Sequence, residues 1–240
     1  MLSLFIVDEL PTSGEVDVTG DEARHAISAM RIQESELISL TDGCGAIATA
    51  EVKAISRKTL TAKIIDYTFE EPSPTQLTVL QALTKGDRAR ETVELLTEAG
   101  VDQIIPWSAQ RSIGQWKDVR ESQDKWRTWA REATKQSRRT RIPEIDGIHS
   151  TSDALALISK FDIALLFHES DGAKLSTIVR AKKPAKILII IGPEGGISED
   201  EIQALNKSGA VTVGMGRPVF RSAHAGAAAL AAVQTALEIW

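Results

Sequence analysis

The chain has 240 residues, of which 42% are hydrophobic and 25% charged, and its net charge is −5. That length supports one large domain or two modest ones, each with its own core, and the composition is that of a globular protein rather than a disordered one. A single cysteine, Cys44, excludes an internal disulfide and any multi-cysteine metal site, and the longest aliphatic run is too short to span a bilayer.

The opening segment, Met1 to Glu9, has no basic flank and meets acid at Asp8, so it reads as a first strand rather than a signal peptide. A cytoplasmic location is the expectation. Short alternating segments follow: Leu4 to Val7, Val16 to Val18, Leu37 to Leu40, Ala46 to Ile55 and Leu60 to Ile65, interrupted by a short helix from Glu22 to Met30. Short strands with Gly-bearing turns predict a small β-barrel over residues 1–71. The stretch Glu70-Glu71-Pro72-Ser73-Pro74-Thr75 is acidic and proline-bearing, and reads as a linker.

From residue 75 the pattern changes. Leu77 to Leu83, Gln103 to Trp107, Ile163 to Phe167, Ile187 to Ile191 and Val211 to Met215 are apolar strand candidates. Helical patterns lie between them at Asp87 to Ala99, Ser122 to Arg139, Asp153 to Ser159, Leu175 to Val179 and Ser198 to Lys207, with an Ala-rich one from Ala223 to Ile239. Such alternation predicts an α/β fold with a mostly parallel sheet.

Three strand-to-helix loops stand out. The strand Ile187 to Ile191 runs into Gly192-Pro193-Glu194-Gly195-Gly196, and Ser198 with Glu201 has capping-box spacing. A loop of bare amides at the carboxyl end of a buried strand is where open α/β sheets bind ligands, a tight turn without a ligand being the plainer alternative. In Lys85-Gly86-Asp87-Arg88, Asp87 caps a helix with its basic neighbours solvated, or Lys85 and Arg88 sit beside a phosphate. The third loop, Met215 to Arg221, precedes the Ala-rich helix and puts Arg221 and His224 at its entrance.

Charge is unevenly spread. From Lys117 to Arg141 nine basic residues face four acidic ones, although the whole chain is acidic. One helix face carries Trp126, Trp129, Ala130 and Ala133 at core-facing spacing, and Gln136-Ser137-Arg138-Arg139-Thr140-Arg141 follows. A local basic surface on an acidic body points to a polyanion, and arginine forks suit RNA phosphates and unpaired bases. His25, His149, His168 and His224 show no metal-ligand spacing, and no nucleotide-triphosphate loop or Gly-x-Ser-x-Gly elbow is present.

The segments His25 to Arg31, Asp42-Gly43-x-Gly45, Lys85 to Arg88, Thr97 to Val101, Ala130 to Ala133, Gln136-Ser137-x-Arg139, Pro143, Phe167 to Glu169, Gly192 to Gly196 and Arg221 to Ala225 come in a specific order and spacing. In that arrangement the chain resembles, over nearly its whole length, the family of 16S ribosomal RNA (uracil-N3)-methyltransferases of the SPOUT class. The resemblance implies a PUA-like RNA-binding barrel at 1–71. It further implies a SPOUT domain at 75–240, with a mostly parallel sheet, a deep trefoil knot and pairing into a homodimer. It implies that S-adenosylmethionine is held by Phe167, His168, Glu169, Ile191, Gly192, Pro193, Glu194, Gly195, Gly196, Met215, Gly216 and Phe220; from the residue spacing, no metal is expected. Arg221 is then expected to stabilise charge on uracil as N3 loses its proton. Arg31, Lys85, Arg88, Arg131, Gln136, Arg138, Arg139 and Arg141 are expected to hold 16S rRNA or the small subunit. For the proton itself Glu169, His224 and solvent remain alternatives. The chain departs from the family pattern at Gly216-Arg217-Pro218, where the proline is shifted, and at Ala223-His224. A SPOUT enzyme for another RNA, and a non-catalytic RNA-binding protein of the same fold, are the competing readings.

Overall fold

Every second side chain at the start of the strand Ala46–Ile55 is small and apolar, and Ala46, Ala48, Ala50 and Val52 are all buried while the residues between them are partly exposed. Period-two alternation lays one face of a strand on a core. In the computed structural model, which describes residues 2–169, 172–182, 184–216 and 218–240, the chain divides into two units. One comprises Met1–Pro72 with Thr134–Ile142, the other Ser73–Ala133 with Pro143–Trp240.

The first unit is a five-stranded sheet of β1 (Leu4–Ile6), β2 (Glu15–Val18), β3 (Leu37–Thr41), β4 (Ala46–Ile55) and β5 (Leu60–Phe69). Its spatial order is β1-β3-β4-β5-β2, antiparallel except for the β1–β3 pair. Phe5, Val18, Ile38, Leu40 and Leu60 fill the core beside the β4 alanines. The expected continuous helix from Glu22 to Met30 is instead α1 (Gly20–Arg24) followed by a π-helical stretch at His25–Ala29. Its wider turn is closed by the Met30 N–H donating to the His25 carbonyl at 3.0 Å.

Residues 134–142 are tied into this unit by directional bonds. The Gly45 N–H donates to the Thr140 carbonyl, and the Ile142 N–H to the Gly43 carbonyl, at 3.0 and 2.9 Å. The Thr140 hydroxyl donates to Glu70 at 2.6 Å, and Lys135 pairs with Glu22 at 2.8 Å, both side chains largely covered. Arg141 spends its fork on the carbonyls of Cys44 and Glu70 and lies over the Phe69 ring, 5.3 Å from its centroid.

The second unit is a seven-stranded sheet: β6 (Gln76–Ala82), β7 (Gln103–Ser108), β8 (Glu144–Ile145), β9 (His149–Ser150), β10 (Ile163–His168), β11 (Lys186–Ile191) and β12 (Ala210–Gly214). The order β12-β10-β11-β6-β7-β8 is parallel throughout, and β9 also pairs with β7. The expected parallel sheet is present, lengthened by β8 and β9, two-residue strands too short to carry a sequence pattern. Ile187, Leu188, Ile189, Ile190 and Ile191 are all buried, which accounts for an unbroken aliphatic run where a half-exposed strand would alternate.

Among the described residues, six helices complete this part of the chain: α2 (Arg88–Glu98), α3 (Val119–Ser137), α4 (Thr151–Ile158), α5 (Leu175–Lys182), α6 (Glu199–Lys207) and α7 (Ser222–Ala236). The last turn of α3 counts with the first unit. Trp126, Ala130 and Ala133 form the buried face of α3, with Trp129 partly exposed. Helix α7 packs against α2, α5, β6 and β11, and its small residues permit that close approach. No described helix is long and apolar enough to cross a membrane.

Register now sets the functional edge. Phe167 on β10 lies opposite Ile191 on β11 and Val213 on β12. The loops that leave these three adjacent strands therefore emerge side by side at the carboxyl edge of the sheet.

Candidate functional site

The loop after β11 begins with a residue that must lack a side chain. A Cβ at Gly192 would stand 2.5 Å from Ile197 Cγ1, so the chain could not fold back tightly behind Pro193. The loop ends in the predicted capping box: the Ser198 hydroxyl accepts from the Glu201 N–H at 3.3 Å, and Glu201 Oε2 accepts from the Ser198 N–H at 3.2 Å. Glu201 does more than cap. Its Oε1 accepts from the Gln110 N–H and the Thr151 hydroxyl, both at 2.8 Å, so one buried carboxylate joins the starts of α4 and α6 to the loop after β7. Burial pushes this carboxyl up, but the Gln110 N–H, the Thr151 hydroxyl and the Ser198 groups outweigh it and hold Glu201 below the usual carboxylate range.

Above the edge lies a cavity of about 590 Å³, within the roughly 300–1,000 Å³ common for small-molecule sites. The end of β10 contributes Phe167 and His168, followed by Glu169, and the end of β11 contributes Ile191, followed by Gly192 through Ile197. The loop after β12 contributes Met215, Pro218, Val219, Phe220 and Arg221, and α7 adds Ser222 and Ala225. Of the residues expected to hold a cofactor, all line this cavity except Gly216, which turns the chain at φ +87° beside Met215. Arg217, one of the departures from the family pattern, lies outside the described residues. Val219 and Phe220 are exposed at the rim.

Among the described residues three arginines reach the cavity wall: Arg88 at the start of α2, Arg111 after β7 and Arg221 after β12. Arg221 has no ion-pair partner among the described residues. Arg88 approaches Glu194 at 3.9 Å, and Glu194 also accepts from the Lys85 N–H at 3.3 Å, while its second oxygen is buried without a partner. Asp87 occupies the position before α2 but makes no capping bond with its side chain. Of the two side chains considered for the proton, Glu169 lines the cavity. His224 does not, and its Nε2 lies 3.0 Å from Glu91 on α2.

The residues expected to hold RNA are distributed over both units. Lys85 lies between β6 and α2 and Arg88 is the first residue of α2, both exposed, and Arg131 lies on α3 in the second unit. Gln136, Arg138, Arg139 and Arg141 belong to the first unit together with Arg31. Arg31, Gln136 and Arg138 are exposed, and Arg138 ends α3 in the left-handed region at φ +58°. Arg141 is bound to backbone carbonyls of its own unit.

Arg111 was not anticipated. It follows β7 by three residues, in Ser108-Ala109-Gln110-Arg111. Its only available signal was position, since every loop after a parallel strand faces the same edge.

A parallel sheet with a loop-lined cavity over the carboxyl ends of three adjacent strands defines a ligand-binding α/β domain, in a chain that also carries a small, mostly antiparallel sheet. Residues 71–234 match the RNA methyltransferase domain family, and residues 18–65 match the RNA methyltransferase PUA domain family. The chain is 37% identical to the ribosomal RNA small subunit methyltransferase E of Mycobacterium bovis, over 99% of this chain and 93% of that protein. It is 29% identical to the Bacillus subtilis protein of the same name, over 97% of this chain and 93% of that one. A solved structure of a ribosomal RNA small subunit methyltransferase E from Neisseria gonorrhoeae, bound to S-adenosyl methionine, superposes with a TM-score of 0.87. It is 27% identical and 98% of each chain is covered. The chain therefore belongs to the family of ribosomal RNA small subunit methyltransferases E.

Proposed function

We propose that this protein transfers the methyl group of S-adenosylmethionine to N3 of a uridine in the decoding region of 16S rRNA. It does so as a homodimer whose second unit is a knotted SPOUT domain and whose first unit helps hold the RNA. The observation that carries this reading is the cavity itself: residues from the ends and loops of three parallel strands line it, with Arg88, Arg111 and Arg221 among them. The residues present fit the donor. Gly192 to Gly196 offer backbone groups to polar edges, Phe167 and Ile191 offer apolar contact, and the volume is ample.

Bound there, the donor supplies an electrophilic methyl group on sulfur. The chain's task is to align the acceptor nitrogen and to stabilise the uracil anion. Holding two reactants in line supplies a large part of such a rate. N3 must first lose its proton, and the negative charge then spreads over the ring oxygens. Arg221 is assigned to that charge, since a preformed cation aimed where charge develops acts most strongly in a site that excludes water. Arg111, after β7, and Arg88, at the start of α2, are assigned to the substrate's phosphates. Glu169, which lines the cavity together with Glu194 and Glu199, is assigned to accept the proton. Arg31, Lys85, Arg131, Gln136, Arg138 and Arg139 extend the contact with RNA, and Arg141 supports it by fixing the segment that carries its neighbours.

Mass mapping of small-subunit rRNA from a deletion strain tests the reaction. Loss of a single N3-methyluridine, restored by the intact gene, is the expected result. A complete set of methylated uridines in that strain would refute the target. Calorimetry with S-adenosylmethionine tests the site independently.

A further inference from the structure

Gln81 is fully buried on β6, between the buried apolar residues Leu80 and Ala82. A polar side chain in such a place costs stability unless every polar atom is paired, and Gln81 Oε1 has no partner. That oxygen is accommodated by Gly226 on α7, where a Cβ would stand 3.1 Å from it. An apolar residue of the same size would pack there at less cost. The amide nitrogen explains what is gained. Nε2 donates to the Ala82 carbonyl at 3.1 Å and to the Ser222 hydroxyl oxygen at 3.2 Å. The Ala82 carbonyl fixes which way the amide faces, because the flipped group would set two oxygens against each other. With its oxygen taken up as acceptor, the Ser222 hydroxyl gives its single proton to the Gly192 carbonyl at 2.6 Å.

This chain of three hydrogen bonds connects two loops that are far apart in sequence. Gly192 opens the loop after β11, and Ser222 is the first residue of α7, directly behind the loop after β12. Both line the cavity. We infer that Gln81 is a positioning residue: through Ser222 it fixes the spacing of the two loops and so sets the affinity for the methyl donor. The inference rests on the reading that this cavity holds S-adenosylmethionine.

The test uses the full chain with Ser222→Ala, Ser222→Thr, Gln81→Leu and the double variant Gln81→Leu/Ser222→Ala. Calorimetry with S-adenosylmethionine gives the affinity, and thermal unfolding and amide hydrogen exchange are followed without donor. Ser222→Ala and Gln81→Leu are expected to weaken binding about tenfold, with Ser222→Thr close to wild type. The double variant should bind no more weakly than the worse single one, because both changes break the same chain. Gln81→Leu should leave the unfolding temperature unchanged or raised while exchange at Gly192 and Gly195 to Ile197 accelerates. Wild-type affinity in Gln81→Leu, multiplied losses in the double variant, or a loss of affinity that simply follows a lower unfolding temperature would overturn the inference. Absence of binding by the wild type would refute the donor site instead, and the exchange measurement would still decide whether Gln81 holds the loop.

Discussion

Replacing Glu201 with Gln keeps shape and volume but changes which atoms can accept. In the native structure two carboxylate oxygens receive four donors: the Gln110 N–H and the Thr151 hydroxyl on Oε1, the Ser198 N–H and hydroxyl on Oε2. A glutamine has one oxygen there. If it faces Gln110 and Thr151, its NH2 group confronts the Ser198 N–H; if it turns, the Gln110 N–H meets a donor. Either way one buried N–H loses its acceptor, at about 1–3 kcal/mol, and the remaining bonds lose their charge assistance. A total of about 2–4 kcal/mol follows on those per-group values. The effect depends on pH with a definite sign. Glu201 is held below its ordinary pKa, so its contribution is fully present above the unfolded-state value near 4.3 and is lost as pH falls through the folded value. Below that point the wild-type side chain is a neutral isostere of the variant. Urea unfolding followed by tryptophan fluorescence reads this well, because buried Trp107 donates to Thr151 at 3.3 Å, one bond from Glu201. The expected result is a lower urea midpoint for Glu201→Gln at pH 7 and convergence of the two proteins in acid. Equal midpoints at pH 7, or a gap that stays constant through the acid range, would refute the assignment of this carboxylate as an ionised hub.

Other substitutions bear on separate parts of the molecule. Arg221→Ala should lower turnover by about 10²–10³ with donor affinity retained, if the guanidinium acts only as charge develops on uracil; single-turnover methylation with calorimetry beside it separates the two quantities. Gly226→Ala puts a methyl group 2.6 Å from Leu96 Cδ2 on α2, and overpacking of this kind costs about 1–3 kcal/mol, to be read as a lower unfolding midpoint. Arg141→Ala leaves the carbonyls of Cys44 and Glu70 without their shared donor and should destabilise the first unit by about 1–3 kcal/mol, visible as faster amide exchange in β4 and β5. His224→Ala removes only an exposed pair with Glu91, so stability should change by less than about 1 kcal/mol in a thermal scan.

What could be read from the chain beforehand follows from the range over which each signal acts. The β11 strand, the loop at Gly192 and the Ser198–Glu201 box are local, encoded within some fifteen consecutive residues, and each appears where its pattern placed it. Period-two alternation likewise located β4 to the residue. The π-helical turn at His25 was not legible, because α- and π-helical turns share the same composition. Neither was the fourfold role of Glu201, whose partners Gln110 and Thr151 lie 91 and 50 residues away. Arg111 shared that fate: β7 was expected in the parallel sheet, but no motif near Arg111 sets its loop apart from the others at the same edge. The membership of residues 134–142 in the first unit depends on bonds such as Arg141 to Cys44, 97 residues apart, which no local pattern could report.

That last attachment bears on how the gene could be taken apart. A shorter polypeptide ending at Pro72 would look like a self-sufficient module, yet Thr41, Cys44 and Glu70 would each be deprived of a companion encoded some seventy to a hundred codons downstream. The two halves are thus laced rather than merely concatenated. A recombination event that swapped the leading portion for a homologue's would have to carry the matching short stretch with it, or inherit a frayed sheet margin.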